Sequence, residues 1–394
     1  MTGEPAAPGV TGTPGTPGAP GGRDRRSYIV IGTGALGIYY GGLLHRAGGR
    51  VMFLSMHGEA RAISQRGTPG VPPGSRSFTI ESPAGDNTID NPRFVSLGES
   101  ITPCDVAIIC LKTTQNHLLP DLLPRILRPG GTALFLQNGI GVEEEALDVL
   151  APEQILIGLC YIGVERIAPD RIRHIDGGRI VMGELGARAS RLPSLFFQRL
   201  LDVANDLKRA GISVQPTDDI LRAQWQKLLW NIPFNGLSVV LDMMPHEIVE
   251  ARDDETKRRR DEETTRRSDA GLDESPRRQE GPGSYNRQFP EVHSPLYLVE
   301  TIMREVLAAA RATGRTLPDS LINQLIDYTR TLPPFRTSMR MDYDRGREME
   351  LKTMYENPIR LAREHGVAMP ATEKVWRLLQ DAGERNEGMG GGVT

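Results

Sequence analysis

Tyr28-Ile-Val-Ile-Gly-Thr-Gly-Ala-Leu-Gly37 is the stretch that decides the fold: an apolar run breaks into G-x-G-x-x-G and then into an apolar helical pattern from Ala35 to Ala47. The spacing has a physical reading. Gly32 permits a tight strand-to-helix turn, Gly34 lets the backbone approach a pyrophosphate, and Gly37 lets the helix pack closely on the strand. The amides of the loop open a helix N-terminus, where phosphate charge is favoured. The stretch therefore predicts a bound dinucleotide touching Gly32, Thr33, Gly34, Ala35, Leu36 and Gly37.

Outward from this loop the alternation of strand and helix continues. Apolar runs at Arg50 to Leu54, Asp105 to Leu111, Thr132 to Leu136 and Ile155 to Tyr161 read as strands, with helical patterns over 58–66, 114–127 and 141–150 between them. Such alternation predicts an α/β region with a parallel, doubly wound sheet of the Rossmann type. Ser77 to Ile80, Arg171 to Ile175 and Arg179 to Gly183 read as shorter strands at the sheet's edge. This domain spans 27–216. From Thr217 the spacing turns helical, over 219–243, 294–313, 318–329, 345–365 and 371–383, which predicts an all-α C-terminal domain over 217–385.

Three segments carry little apolar periodicity. Residues 1–26 are Gly, Pro, Thr and Ala, and with 386–394 they read as disordered tails. Residues 251–289 read as a charged flexible insertion whose interleaved acids cancel its arginines. Across 394 residues the net charge is -3, which gives no electrostatic case for nucleic acid or an anionic membrane. No apolar run is long enough to span a bilayer and no secretory h-region is present, so a cytoplasmic protein with small-molecule partners is expected. Cys104, Cys110 and Cys160 lack metal-ligand spacing and read as reduced core residues, and no metal is expected.

The chemistry-bearing residues lie at strand ends and on one helix. Lys112 and Asn138 follow the carboxyl ends of strands, the edge where a doubly wound sheet holds its ligand. In Trp225 to Gly236, Lys227, Asn231 and Asn235 recur every four residues and form one polar stripe among apolar neighbours. Such surroundings can lower a lysine's pKa and suit it to proton donation; the alternative is a capped, partly exposed helix whose asparagines bond the backbone. Pro233 removes a helical donor and crowds the carbonyl of Leu229, so a bend is expected there.

The chain resembles the ketopantoate reductases over essentially 28–385, the insertion excepted. The likeness rests on Gly32 to Gly37, Leu111-Lys-Thr-Thr-Gln115, Gln137-Asn-Gly-Ile-Gly141, Lys227-Leu-Leu-Trp-Asn231 with Asn235, and Ser338-Met with Glu350. The resemblance implies NADPH-dependent reduction of a 2-keto acid, ketopantoate to pantoate, with Lys227 as the general acid. It also implies that Asn231, Asn235, Asn138 and Lys227 hold substrate, that Ser338 meets its carboxylate, and that Lys112, Asn138 and Glu350 line the cofactor. A homodimer is compatible with it.

The second strand ends Leu54-Ser-Met-His57 with no acid before Glu59, which disfavours NAD. Ser55, His57 and Arg61 instead suit a 2′-phosphate, hence NADP. Phe335 stands where family members often carry asparagine, and Met349 and Lys352 depart from the pattern around Glu350. These departures keep open a related dehydrogenase of another 2-keto or 2-hydroxy acid. A non-catalytic NADP sensor with 251–289 as its partner-binding element is the other alternative.

Overall fold

The computed structural model describes residues 25–56, 77–185, 193–251, 289 and 294–390. The helix expected at 58–66, His57, Glu59 and Arg61, residues 1–24 of the N-terminal tail and 252–288 of the insertion lie outside these.

Strand β1 (Ser27–Ile31) is buried throughout and leads through the glycine loop into helix α1 (Ala35–Arg46). The sheet half continues with β2 (Arg50–Ser55), β3 (Ser77–Glu81), β4 (Asn87–Asp90), β5 (Arg93–Ser96), β6 (Cys104–Ile109) and α2 (Leu119–Ile126). It ends with β7 (Leu127–Phe135), β8 (Ile155–Ala168), β9 (Arg171–Glu184), α3 (Pro193–Arg209) and β10 (Val214–Pro216). Six strands pair in parallel in the order β5-β2-β1-β6-β7-β8, so the chain order reverses between β1 and β6. That reversal opens the crevice in which doubly wound sheets bind ligands. Two apolar clusters, one on each face, bury alternate residues of the strands: Tyr28 and Val30 on one side, Ile29 and Ile31 on the other.

Beyond β8 the sheet is mixed rather than parallel. β9 runs antiparallel to β8 along its length, and β3 and β4 pair antiparallel. The two short strands expected at 171–175 and 179–183 are one strand, and it is interior, flanked by β8 and by β3 and β10. Asp176-Gly-Gly178 resembles a turn in sequence but forms a bulge. Gly177 sits at φ +78°, and a Cβ there would lie 2.3 Å from the carbonyl oxygen of Tyr161.

The helical half comprises α4 (Ile220–Val240), α5 (Pro245–Glu250), α6 (Pro295–Ala312), α7 (Ser320–Thr331), α8 (Ser338–Asp344), α9 (Asn357–Glu364) and α10 (Pro370–Gly390). Asp219 caps α4 by accepting the amide of Arg222, and α4 continues as one element through Pro233. The helix expected at 345–365 is broken. Gly346 takes φ +61°, and a π-helical turn, Lys352–Glu356, precedes α9, with Pro358 in its first turn. The helix expected at 141–150 is a single 3₁₀ turn, Glu144–Asp148.

At the C-terminus, α10 extends to Gly390, through the start of the tail expected at 386–394, and the Asn386 amide donates to the carbonyl of Tyr343 at 2.6 Å. At the other end Arg26, placed by sequence in a disordered tail, pairs with Asp202 and Asp206. Phe289, at the end of the insertion, is buried in the helical core. Among the described residues no helix is long and apolar enough to cross a membrane, and no group of side chains forms a metal site.

Candidate active site

The glycine loop has the shape a dinucleotide needs. At Gly32, with φ +96°, a Cβ would lie 2.7 Å from the backbone of Cys110 and Leu111, and at Gly37 a Cβ would lie 2.1 Å from the carbonyl oxygen of Gly32. Both positions exclude a side chain. At Gly34 a Cβ would meet nothing within 4 Å, so the backbone faces open space at the N-terminus of α1. No side chain caps that terminus and its first turn carries no acid, which leaves its amides available to phosphate. Arg166, near the end of β8, donates to the carbonyl of Thr33 and pins the loop from the opposite side. The residues present fit a dinucleotide cofactor.

Lys227 reaches the carboxyl ends of the strands from the helical half. Its Nζ donates to Asn138 Oδ1 and to the carbonyl of Cys160 on β8, both at 2.7 Å, and sits 5.3 Å from the ring centroid of Tyr161. Burial lowers its pKa from 10.5 to about 8; Cys160 and Glu350 act the other way by stabilising the charge. The same burial pushes the Cys160 thiol up to about 11, and all three cysteines are free thiols.

The loop that carries Asn138 is fastened to the π-helical turn. Thr353 Oγ1 donates to the Asn138 carbonyl at 3.0 Å, and the Ile140 amide donates to the Thr353 carbonyl at 2.9 Å. The Asn357 side-chain amide donates to the Ile140 carbonyl at 2.9 Å. Gly139, at φ +108°, has no room for a side chain, since a Cβ would lie 2.4 Å from the carbonyl oxygen of Thr353. Within the sheet half, Gln137 and Asn116 bond each other and the carbonyls of Leu111 and Val142, tying this loop to the one after β6.

Lys112 projects from the end of β6 and pairs with two carboxylates of the helical half, Asp342 and, at 3.3 Å, Glu350. Burial alone would lower the Lys112 pKa, but Glu350 and Asp342 outweigh it and raise the value. Glu350 also accepts the Thr113 amide at 2.8 Å, while Arg347 holds the other oxygen of Asp342 at 2.9 Å. Asn235 Oδ1 lies 3.4 Å from both Ser338 Oγ and the Met339 amide. Asn231 is buried one helical turn from Lys227.

The structure thus brings Lys227 to Asn138, Lys112 to Glu350 and Asn235 to Ser338, and Glu350 lies close enough to Lys227 to influence its charge. For coenzyme selection it describes Ser55, buried at the end of β2, but not His57 or Arg61. Sequence reasoning missed Asp342 and Arg166. Asp342 falls one helical turn after Ser338, which puts it on the same face of α8, the one available signal. Arg166 lies beyond the expected end of its strand and gives no local sign.

A doubly wound sheet whose carboxyl edge receives a half-buried, hydrogen-bonded ammonium from a separate set of helices is the build of a dinucleotide-dependent oxidoreductase. Comparison with known proteins narrows the class. The family model described as Ketopantoate reductase PanE/ApbA matches residues 28–187, and its C-terminal counterpart matches 288–382. A curated 2-dehydropantoate 2-reductase from Nostoc sp. is 36% identical over 363 residues, 92% of this chain and 97% of that protein. The crystal structure of a 2-dehydropantoate 2-reductase from Geobacter metallireducens aligns with a TM-score of 0.71 at 29% identity, covering 90% of this chain and 99% of its own. The ternary structure of D-mandelate dehydrogenase with NADH and anilino(oxo)acetate shares the fold, with a TM-score of 0.69 at 18% identity over 91% of this chain and 99% of that one. The chain belongs to the ketopantoate reductase family.

Proposed function

We propose that this protein reduces ketopantoate to pantoate with NADPH. The observation that carries the reading is the half-buried Lys227, its ammonium held by Asn138 and Cys160 at the edge where the glycine loop opens. When bound, the reduced nicotinamide supplies hydride to the carbonyl carbon of the keto acid. Two of the three Lys227 protons are engaged, which leaves the third for the carbonyl oxygen. As negative charge gathers on that oxygen, the Lys227 N–H bond breaks and an O–H bond forms, leaving a neutral amine that solvent reprotonates. A pKa of about 8 keeps the acid charged near neutrality while making its proton easy to give.

Asn231 and Asn235 hold the substrate, with Ser338 at its carboxylate, and Asn138 orients Lys227. Lys112 lines the cofactor, and Glu350 contacts the nicotinamide ribose side. NADPH is preferred because β2 ends in Ser55 and is followed by Met56, so no carboxylate ends that strand to hold unphosphorylated ribose. The test is loss of nicotinamide absorbance with ketopantoate and NADPH or NADH. Turnover with NADPH alone supports the reading, NADH preference overturns the coenzyme assignment, and no turnover despite tight NADPH binding overturns the enzyme assignment.

A further inference from the structure

The helix that delivers Lys227 also carries an aromatic wall. Trp230 stacks on Phe234, with ring centroids 4.9 Å apart and planes at 29°, and Phe335 lies over Trp230 at 6.2 Å and 13°. The Trp230 indole N–H donates to Thr329 Oγ1 at 3.0 Å, so α7 fixes the wall in place. At 100° per residue, Trp230 and Phe234 fall on the stripe of α4 beside Lys227 and Asn231.

The chain from 335 to 338 crosses that helix. Phe335 rests at Trp230, Thr337 shares a 2.7 Å hydroxyl hydrogen bond with Ser238, and Ser338 reaches Asn235. One short segment therefore borders the polar stripe with a hydroxyl at one end and an aromatic ring at the other. Phe335 and Trp230 both remain partly exposed. A flat apolar group placed there gains ring contact and loses water, whereas a hydroxyl finds no donor on the wall, because its one N–H is already engaged.

We propose that, besides ketopantoate, this site takes 2-keto acids whose substituent beyond the carbonyl is an aromatic ring or a comparably flat apolar group, with Phe335 on Trp230 as the selecting wall. The inference rests on the 2-keto acid reductase reading and deepens it. The reaction is unchanged: NADPH is oxidised, the keto acid becomes a 2-hydroxy acid, and the new C–H and O–H bonds come from hydride and from Lys227.

The experiment compares kcat/KM with NADPH for phenylglyoxylate, ketopantoate and straight-chain 2-ketobutyrate, in the full chain and in Phe335→Asn and Phe335→Leu. Phenylglyoxylate is expected to exceed 2-ketobutyrate by about tenfold or more, and Phe335→Asn to lower the phenylglyoxylate-to-ketopantoate ratio by about tenfold, with Phe335→Leu between. Phenylglyoxylate no better than 2-ketobutyrate in the unmodified protein overturns the inference without recourse to a variant. So does an unchanged ratio in a folded Phe335→Asn. Reduction of ketopantoate with phenylglyoxylate refused overturns this inference alone, while refusal of all three acids overturns the reductase reading and this inference with it.

Discussion

Replacing Lys227 by methionine keeps the apolar stem and the helical preference of the position while deleting the ammonium. Burial holds that ammonium at about 8 against an ordinary 10.5, a gap equivalent to roughly 3 kcal/mol of destabilisation carried by the folded state at neutral pH. Methionine removes that cost but leaves Asn138 Oδ1 and the Cys160 carbonyl without their donor, at about 1 kcal/mol or more each. The melting temperature at neutral pH should therefore change little. Turnover should fall by about 10²- to 10⁴-fold, the usual worth of a positioned general acid, with NADPH affinity, read by fluorescence titration, within about threefold of the parent because the lost interaction acts in the transition state.

The sign with pH follows from the same group. The ammonium form gives the proton, so reduction is fastest below about 8 and declines above it, while the reverse oxidation, which uses the free amine, rises through the same range. Stability moves oppositely to the usual lysine pair. The unfolded chain keeps this proton up to about pH 10.4, so the parent gains stability relative to Lys227→Met as pH rises from about 8 and has its full deficit below that. A variant within tenfold of the parent turnover, or one that keeps the descending alkaline limb, would refute the role given to Lys227.

Gly34→Ala should leave the melting temperature of the free protein unchanged, since its methyl enters open space, yet weaken NADPH binding by about tenfold or more where backbone meets phosphate. Gly37→Ala drives a methyl against the Gly32 carbonyl and should cost about 1–3 kcal/mol in denaturant melts even without cofactor. Asp342→Asn removes the buried partner of Lys112 and Arg347; KM for NADPH should rise more than kcat falls, and a turnover defect without a KM change would count against a role at the cofactor. Tyr355→Phe deletes the 2.7 Å hydrogen bond to the Ile232 carbonyl beside Pro233 and should lower stability by about 1 kcal/mol with kcat unmoved, checked by urea titration and initial rates.

What could be read in the sequence was local. The apolar run into Gly32, Gly34 and Gly37 specifies a strand, a turn and a helix by contacts a few residues apart, and the periodicity of 219–243 puts Lys227, Asn231 and Asn235 on one face regardless of what covers it. Lys112 and Asn138 follow from the rule that ligands gather at carboxyl ends of strands. Glu350 was legible only by resemblance, because nothing near it in sequence says that Thr113 and Lys112 will be its partners. Pairing across the sheet was the weakest reading: Gly177-Gly178 looks like the end of a strand, and only the long antiparallel partner shows it to be a bulge. Asp342 and Arg166 acquire meaning from residues more than 130 positions away, beyond the reach of any periodic pattern.

The fastening of Asn138 has a consequence for inheritance. The residue that aims Lys227 is written in the first half of the chain, but the turn that holds its loop is written near the end, and the fit between Gly139 and Thr353 tolerates no methyl group. Drift at either place must be answered at the other. A chimaera made from two relatives by crossing over near residue 216 would receive the two sides of that fit from different parents, and so would lose the proton donor's alignment before it lost either half's fold.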